Sequence, residues 1–579
     1  MSAFLGVESS LTARRWVGPD ADVLRRAAQL VQQADLSEPL ARILAARGIT
    51  PPEVEAHLAP TLRALMPDPE ALRDMSRAAN RFCTAMEKAE RIAIFADYDV
   101  DGGASAALIL NYLRARGLRA TLYIPDRVDE GYGPNTPAMA ALGAGHDLII
   151  CVDCGTLSHE PVAAAGCDVI VLDHHLGAET LPPALAVVNP NRQDEDGALG
   201  YLCAAGVVFL FLAQANRQLR STGTAGPDLM GMLDLVALAT VADIAPLIGF
   251  NRALVRQGLA IMGQRGHIGL AALADIAGLN RAPAAYHLGY LLGPRINAGG
   301  RVGAADLGAR LLSTNNPEEA RSLAQKLDHL NSERRAIEAE VQAAAMAQAE
   351  SRDTTGPLVW AAGEGWHPGV VGIVAARLKE RFNRPAVVIG LDAGLGKGSG
   401  RSVTGVDLGS SIAKLTREGL LTAGGGHKMA AGLSLEAAKL PAAMARLATL
   451  LDEQGAAALG PRDLQLTASL GTAAATPDLL AELDRAGPFG ASAPAPRFAI
   501  ASARITFAKR AGETHLRLTL HDGTAALDAI AFGAFTTPLG AALESHGGKP
   551  FHFAGRLEID DWGGRRKAKL QLDDAAPAE

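Results

Sequence analysis

The chain has 579 residues, 48% hydrophobic and 20% charged, with a net charge of −7 and a pI near 6.1. That much apolar material excludes a disordered chain. The acidic balance excludes a histone-like polycation, though not a local basic groove for nucleic acid. At roughly 150 residues per domain, the length predicts about three to four domains.

Five cysteines, Cys83, Cys151, Cys154, Cys167 and Cys203, are too few and too irregular for a disulfide framework, which predicts a reduced, cytoplasmic setting. Near the N-terminus Arg14 and Arg15 come late and no continuous apolar core follows, so no secretory signal is expected. The longest apolar run, around Tyr201–Ala213, is short of the ~20 residues of a membrane helix, and no membrane partner is predicted.

Residues 1–75 read as helical pieces broken by prolines. From Arg91 the apolar runs RIAIFA, HDLIICV, CDVIVL and ALAVVN alternate with Ala- and Leu-rich helical stretches. This is the pattern of βαβ units on a mostly parallel sheet, and it predicts an α/β domain over 76–315. Asn316, Pro317, Glu318 and Glu319 form a helix start, and Leu323, Leu327, Leu330, Ile337 and Val341 follow at helical spacing. One long connecting helix is predicted over 316–352. A second, smaller α/β domain over 353–455 has the strands PLVWAA and RPAVVIG and the glycine-rich turns GLGKGSGRS and AGGGHKMAAG. The rest, 456–579, reads as a linker and then five strands from about Arg497, the count of a small OB-fold barrel.

Four clusters of acids and histidines are read at the ends of predicted strands: Asp97, Asp99 and Asp101 in DYDVDG, Asp153 in VDCGT, Asp173-His174-His175, and Asp243 in VALATVADIAPL. In an open α/β sheet such positions converge on a ligand. Carboxylates beside imidazoles suit Mn²⁺ or Mg²⁺, and two ions ~3.5–4 Å apart clamp a phosphoryl centre. Taken singly, each cluster has a plainer reading: a solvated or calcium-like acidic turn, a helix cap for Asp153 or Asp243, a hydrogen-bonded turn for Asp-His-His. Cys151 and Cys154 read as packing residues, since no second CxxC exists for zinc.

The DYDVDG, VDCGT, LDHH and VADIAPL segments, in that order, resemble the DHH phosphoesterase superfamily. The segments GPRINAGGR (293–301), HPGVVGIVAARL (367–378), GSGRS (398–402) and GGGHKMAAG (424–432) narrow the resemblance to the RecJ family of single-strand-specific 5′→3′ DNA exonucleases, over roughly residues 40–575. It implies a DHH catalytic domain, a DHH-associated substrate-binding domain and an OB-fold, with Mn²⁺ or Mg²⁺ as cofactor and two ions expected. It further implies that Asp99, Asp101, Asp153, His174 and Asp243 are ligands, Asp153 bridging, with Asp97 as ligand or support. His175 would face the scissile phosphate, and Asp173 would orient the imidazoles. Where many relatives carry a histidine four residues before Asp99, this chain has Phe95, leaving the first ion to Asp97 or more weakly held.

On the substrate side, the resemblance assigns Arg127 and Arg301 to the 5′-terminal phosphate, Ser399 and Arg401 to the strand backbone, and Gly425, Gly426 and His427 to a loop opposite the metals. Between Arg497 and Leu572, 11 Lys/Arg stand against 7 Asp/Glu. Arg504, Lys509, Arg510 and the Arg565–Lys569 run interleave there with Phe507, Phe532 and Trp562, as in barrels that hold single strands. Gly396-Lys397-Gly398 is no P-loop, and no ATP requirement is expected. The expected activity is hydrolysis of single-stranded DNA to 5′-mononucleotides in recombination and repair, with a helicase and a single-strand-binding protein as assisting partners. The alternatives are an oligonucleotide or small-molecule phosphoesterase of the same superfamily and a catalytically silent scaffold.

Overall fold

The computed structural model describes residues 3–126, 130–352, 354–458, 460, 462–561 and 566–578. Two compact units make up the chain: Pro67–Pro246 with Gln257–Gly460, and Met1–Met66 with Leu247–Arg256 and Pro461–Glu579. Among the described residues, no helix is long and apolar enough to cross a membrane.

The first of these units begins with a five-stranded parallel sheet. Its strands are β1 (Ile92–Ala96), β2 (Ala120–Tyr123), β3 (Leu148–Val152), β4 (Asp168–Leu172) and β5 (Ala186–Val188), in the spatial order β2-β1-β3-β4-β5. Every residue of β1 and β3 is buried, which is why these runs are apolar without alternation. The order reverses between β1 and β3, so their carboxyl ends, with that of β4, open on one crevice. Helix α1 (Val100–Ala115) follows β1. Helices α2 (Ala204–Ser221), α3 (Leu233–Ala242) and α4 (Gly293–Val302) come after the sheet.

Helix α5 (Pro317–Glu350) starts where its sequence signals place it, with the Asn316 side chain accepting from the amides of Glu318 and Glu319. It leads into a second sheet of strands β6 (Val359–Glu364), β7 (Ala386–Asp392), β8 (Leu395–Arg401), β9 (Ala423–His427) and β10 (Ala430–Glu436), ordered β9-β10-β8-β7-β6. Helix α6 (Pro368–Phe382) covers one face, packing Val370, Val371 and Val374 on Ala386 and Val388. Helix α7 (Leu408–Arg417) covers the other, with Leu408 and Ile412 against Leu433 and Leu435.

In the other unit, β11 (Phe498–Ala511), β12 (His515–His521), β13 (Ala526–Ala531), β14 (Pro550–Asp560) and β15 (Lys567–Pro577) close into a barrel ordered β11-β12-β13-β15-β14, with β14 pairing back to β11. This is the OB-fold. The helices Ala21–Ala34 and Glu38–Ala46 share its core, Leu40 and Leu44 clustering with Phe498 and Leu516. A strand within residues 1–75, Arg14–Val17, pairs in parallel with Arg462–Gln465; its four residues carry too little pattern to be read in sequence.

The segment VALATVADIAPL departs from its reading. It does not form a strand ending at Asp243; Leu233–Ala242 is a helix and Asp243 its C-cap. A buried helix is as uniformly apolar as a buried strand, and here the ten-residue length decides for the helix.

Close helix packing under the crevice sets one stability test. A Cβ on Gly143, in the helix Thr136–Gly145, would stand 1.5 Å from the carbonyl oxygen of Ala165. Gly143→Ala should therefore lower the unfolding free energy by about 1–3 kcal/mol in urea titration, as overpacking does. An unchanged midpoint would contradict this packing.

Candidate active site

The ends of β1, β3 and β4 each supply an acid, and the backbone is shaped to present it. Asp99 caps α1, its Oδ1 accepting from the amides of Asp101 (2.8 Å) and Gly102 (3.2 Å). A side chain on Gly102 would strike the Asp97 carbonyl at 2.4 Å, so the final glycine of DYDVDG permits the turn. Asn297 of α4 accepts from the Val100 amide at 3.0 Å and ties the GPRINAGGR segment to the same turn. Asp101 is buried, and its two oxygens accept from Ala204 (2.7 Å) and Ala205 (2.8 Å) at the N-terminus of α2. A helix N-terminus is a favourable seat for a carboxylate.

Asp153 follows β3 in a left-handed conformation, φ 59°, and Ile244, next to Asp243, has φ 60°. Non-glycine residues rarely hold such angles, a β-branched one least of all, and this strain gathers where side chains must be aimed. The Asp153 carbonyl accepts from the Tyr132 hydroxyl at 3.0 Å, and the same hydroxyl lies 3.1 Å from His175 Nδ1.

After β4, Asp173 is fully committed to hydrogen bonds. One oxygen accepts from the Thr156 amide and hydroxyl; the other accepts from the amides of His174 and His175 and from His175 Nδ1 at 2.8 Å. Burial alone would raise the Asp173 carboxyl, but these donors hold it well below the usual range. His175 moves the other way. Burial would lower its imidazole, and the bond to Asp173 outweighs that and raises it to about 9. The carbonyls of His175 and His174 accept from the side-chain amides of Asn189 (2.8 Å) and Asn191 (2.6 Å).

His174 is the hub. Its Nε2 lies 3.2 Å from Asp153 Oδ1 and 3.7 Å from Asp101 Oδ2, and its Nδ1 lies 3.9 Å from Asp243 Oδ2. Three sets of ligand atoms fall within 4.8 Å of one another: Asp97, Asp99 and Asp153; Asp101, His174 and Asp243; Asp153, His174 and His175. Burial, then Asp101, Asp99, Asp97 and Asp173, raise Asp153 well above the carboxylate range. Burial, then Asp101 and Asp99, raise Asp243 to about 8. Asp153 Oδ1 is buried and receives no hydrogen bond. So many oxygens and imidazole nitrogens, with one carboxylate oxygen left over, form a donor set for divalent cations of the Mn²⁺ or Mg²⁺ class. Phe95 is buried under this turn and packs on Tyr123 at 5.4 Å between ring centroids. The Asp97–Asp99–Asp153 set assembles without position 95.

The second sheet supplies a facing surface. Its register sets Lys397, Ser434 and Ala423 in one cross-strand row, Ser399, Gly432 and Gly425 in the next, and Arg401, Ala430 and His427 in a third. Partners in a row share a face, so this face is polar and basic along its sides and bare along its middle. A Cβ on Gly425 or Gly432 would meet nothing within 4 Å. Gly426 belongs to the opposite parity, with φ 148°, and a side chain there would hit the Ala430 carbonyl at 2.4 Å. Arg401 donates to Ser399 Oγ at 2.9 Å. A cleft of about 560 Å³ runs between Tyr98, Tyr132 and Arg301 on one side and Gly369, Ser399, Gly424 and Gly432 on the other. Arg301 donates to the Gly369 carbonyl at 2.9 Å, placing its guanidinium beside the first turn of α6.

Of the residues picked out in sequence, Asp97, Asp99, Asp101, Asp153, Asp173, His174, His175 and Asp243 come together. Arg301 and Ser399 line the cleft; Arg401, Gly425 and His427 lie on the same sheet face as Ser399, and Gly426 has the opposite parity. Arg127 lies outside the described residues, as do Trp562 and Arg565 of the barrel. Sequence reading passed over Tyr132, Thr156, Asn189, Asn191 and Asn297. Their one signal was position, inside or just after the motif segments. Cys151 and Cys154 are buried free thiols, and burial raises both far above the ordinary cysteine range, in keeping with packing.

Family models match along the chain in the same order: the DHH family, N-terminal domain, over residues 91–240; the DHHA1 domain over 355–453; and the RecJ OB domain over 466–574. The single-stranded-DNA-specific exonuclease RecJ of Salmonella typhimurium is 36% identical over 94% of this chain and 96% of its own length. That of Bacillus subtilis is 32% identical over 97% of this chain and 70% of its own. The crystal structure of RecJ in complex with Mn²⁺ from Thermus thermophilus superposes with a TM-score of 0.80 at 30% identity, covering 97% of this chain and 80% of that one. The three domain types thus follow one another along the chain, each matched by its own family model, and the chain belongs to the RecJ family within the DHH superfamily.

Proposed function

We propose that the chain is a metal-dependent exonuclease that degrades single-stranded DNA from its 5′ end and releases 5′-mononucleotides in recombination and repair. The observation that carries this reading is the cleft itself. Carboxylates and imidazoles suited to divalent cations lie behind one wall, and the other wall is a strip of glycine backbone edged by Lys397, Ser399, Arg401 and His427.

Asp97, Asp99 and Asp153 would hold one ion, and Asp101, His174 and Asp243 another. When bound, Mn²⁺ or Mg²⁺ lowers the pKa of water and neutralises charge at phosphorus. The chain's own side chains do the rest. Asp173 fixes the ring of His175 and keeps it protonated, so that His175 donates to a phosphoryl oxygen. Tyr132 holds His175 and the Asp153 backbone together. Arg301 and Arg127 take the 5′-terminal phosphate, for which a planar guanidinium is well shaped. Ser399, Arg401, Gly425, Gly426 and His427 meet the strand backbone. A trough too narrow for paired strands would exclude duplex.

We further propose a division of labour in which 76–315 performs the chemistry, with 353–455 seating the strand's end across the 316–352 helix. The barrel in 456–579 binds single strands, and 1–75 supports it. Phe507 and Phe532 are exposed, as stacking platforms must be, beside Arg504 and Lys509. The reaction needs no ATP, and a helicase and a single-strand-binding protein are the cytoplasmic partners it calls for.

A degradation time course with 5′- and 3′-labelled single strands and duplex, in Mn²⁺ or Mg²⁺, tests the reading. Only the 5′ label on single strands should appear early as mononucleotide, and EDTA should abolish release. Early release of the 3′ label, or equal attack on duplex, would reject it. The trough has its own test. Gly425→Val should leave the melting temperature unchanged, because nothing crowds that position, yet raise the KM for single strands by about tenfold or more. An unchanged KM would remove the glycine strip from the substrate path.

A further inference from the structure

The unit that contains the barrel also holds a cavity of about 760 Å³, within the range of small-molecule sites. Its walls are largely apolar, with Val23, Ile43, Ile49, Ile248, Leu466 and Pro494 among them, and one region is strongly basic. There Arg47, His57 and Arg252 meet. Arg252 is only 3% exposed. Its Nη2 donates to the carbonyls of Gly487 (2.8 Å), His57 (3.2 Å) and Ala486 (3.2 Å), whereas its Nε and Nη1 are buried with no acceptor. Arg47 Nη1 donates to the Ala486 carbonyl at 2.6 Å and stands 3.2 Å from His57 Nε2; its Nη2 is likewise buried with no acceptor.

Other charged groups in the lining are already matched. Arg42 pairs with Glu38, Arg497 with Asp573, and Asp20 caps the helix Ala21–Ala34 by accepting from Val23. Among the described residues, no carboxylate forms an ion pair with Arg47 or Arg252. Burial of like charges has its expected cost. Burial lowers Arg47 to about 10; burial, then Arg47 and Arg256, lower Arg252 to about 10; and burial, Arg252 and Arg47 lower His57 to about 4. Two guanidiniums serving only as struts between carbonyls would not leave three donor nitrogens unsatisfied in the interior. A dianion placed among them would satisfy those donors and offset the repulsion together.

We propose that this cavity binds a phosphate monoester of about mononucleotide size, its phosphoryl group against Arg47, Arg252 and His57 and its body against the aliphatic and proline walls. The site is separate from the metal-binding crevice: no residue of its lining takes part in the proposed hydrolysis. Near-complete burial of Arg252 favours a small ligand over the backbone of a passing polymer.

Isothermal titration of the full chain tests this. EDTA is present, and the protein carries Arg301→Met to weaken binding in the cleft. Thymidine 5′-monophosphate should saturate one site per chain, inorganic phosphate should compete with it, and thymidine without phosphate should bind at least about tenfold more weakly. Adding Arg252→Met or Arg47→Met should weaken thymidine 5′-monophosphate by about tenfold or more. If Arg252→Met does not fold by circular dichroism, the half-buried Arg47→Met decides alone. Absence of saturable binding, equal affinity for thymidine and its monophosphate, or unchanged affinity in the folded variants would overturn the proposal. So would a loss confined to an oligothymidylate, which would make these arginines part of the strand path.

Discussion

Electrostatic repulsion among buried carboxylates is the constraint on which the catalytic crevice depends. Asp97, Asp101 and Asp153 are each at most 4% exposed and lie within one small volume. Left to themselves such groups take up protons, because burial and mutual repulsion disfavour the charged form. The fold answers for some of them with its own donors: two amides of α2 for Asp101, two amides of α1 for Asp99, and a hydroxyl, an imidazole and three amides for Asp173. It leaves the demand of Asp153 unmet. A divalent cation would meet that demand, and the left-handed backbone at Asp153 and Ile244 sets the direction of side chains that would hold it.

Opposite this crowded wall stands its reverse, a surface defined by missing side chains. Gly432 brings bare backbone to the cleft beside Ser399 and Lys397, and Gly425, Arg401 and His427 continue the same sheet face. A polyanion needs close approach and positive charge but no reading of bases, and this face offers that combination. In the barrel Phe507 and Phe532 are left exposed, as platforms for stacking without sequence preference would have to be.

Much of the crevice was legible in the sequence because strands buried on both faces are written as unbroken apolar runs, and the residue after each run sits at the crevice. Asp97, Asp153 and Asp173 could be placed on that ground alone. Asp243 could not, since Leu233–Ala242 is a helix with the same uniform burial. Tyr132 and Asn297 act through loops whose reach depends on tertiary packing, which local spacing does not encode. The glycine strip was visible as GLGKGSGRS and AGGGHKMAAG, yet which glycines face the cleft follows only from the pairing of β8, β10 and β9. The arginine cavity was invisible for the same reason: Arg47, Arg252 and Ala486 come from remote segments that carry no motif.

The central claim is that four remote segments meet to share cations through Asp153. Electron paramagnetic resonance during Mn²⁺ titration of the wild type and of Asp153→Asn tests it most directly. The wild type should take up about two magnetically coupled ions per chain. The variant, with an unaltered circular dichroism spectrum, should lose the coupling and bind manganese far more weakly. Identical manganese binding in the two proteins would contradict the account.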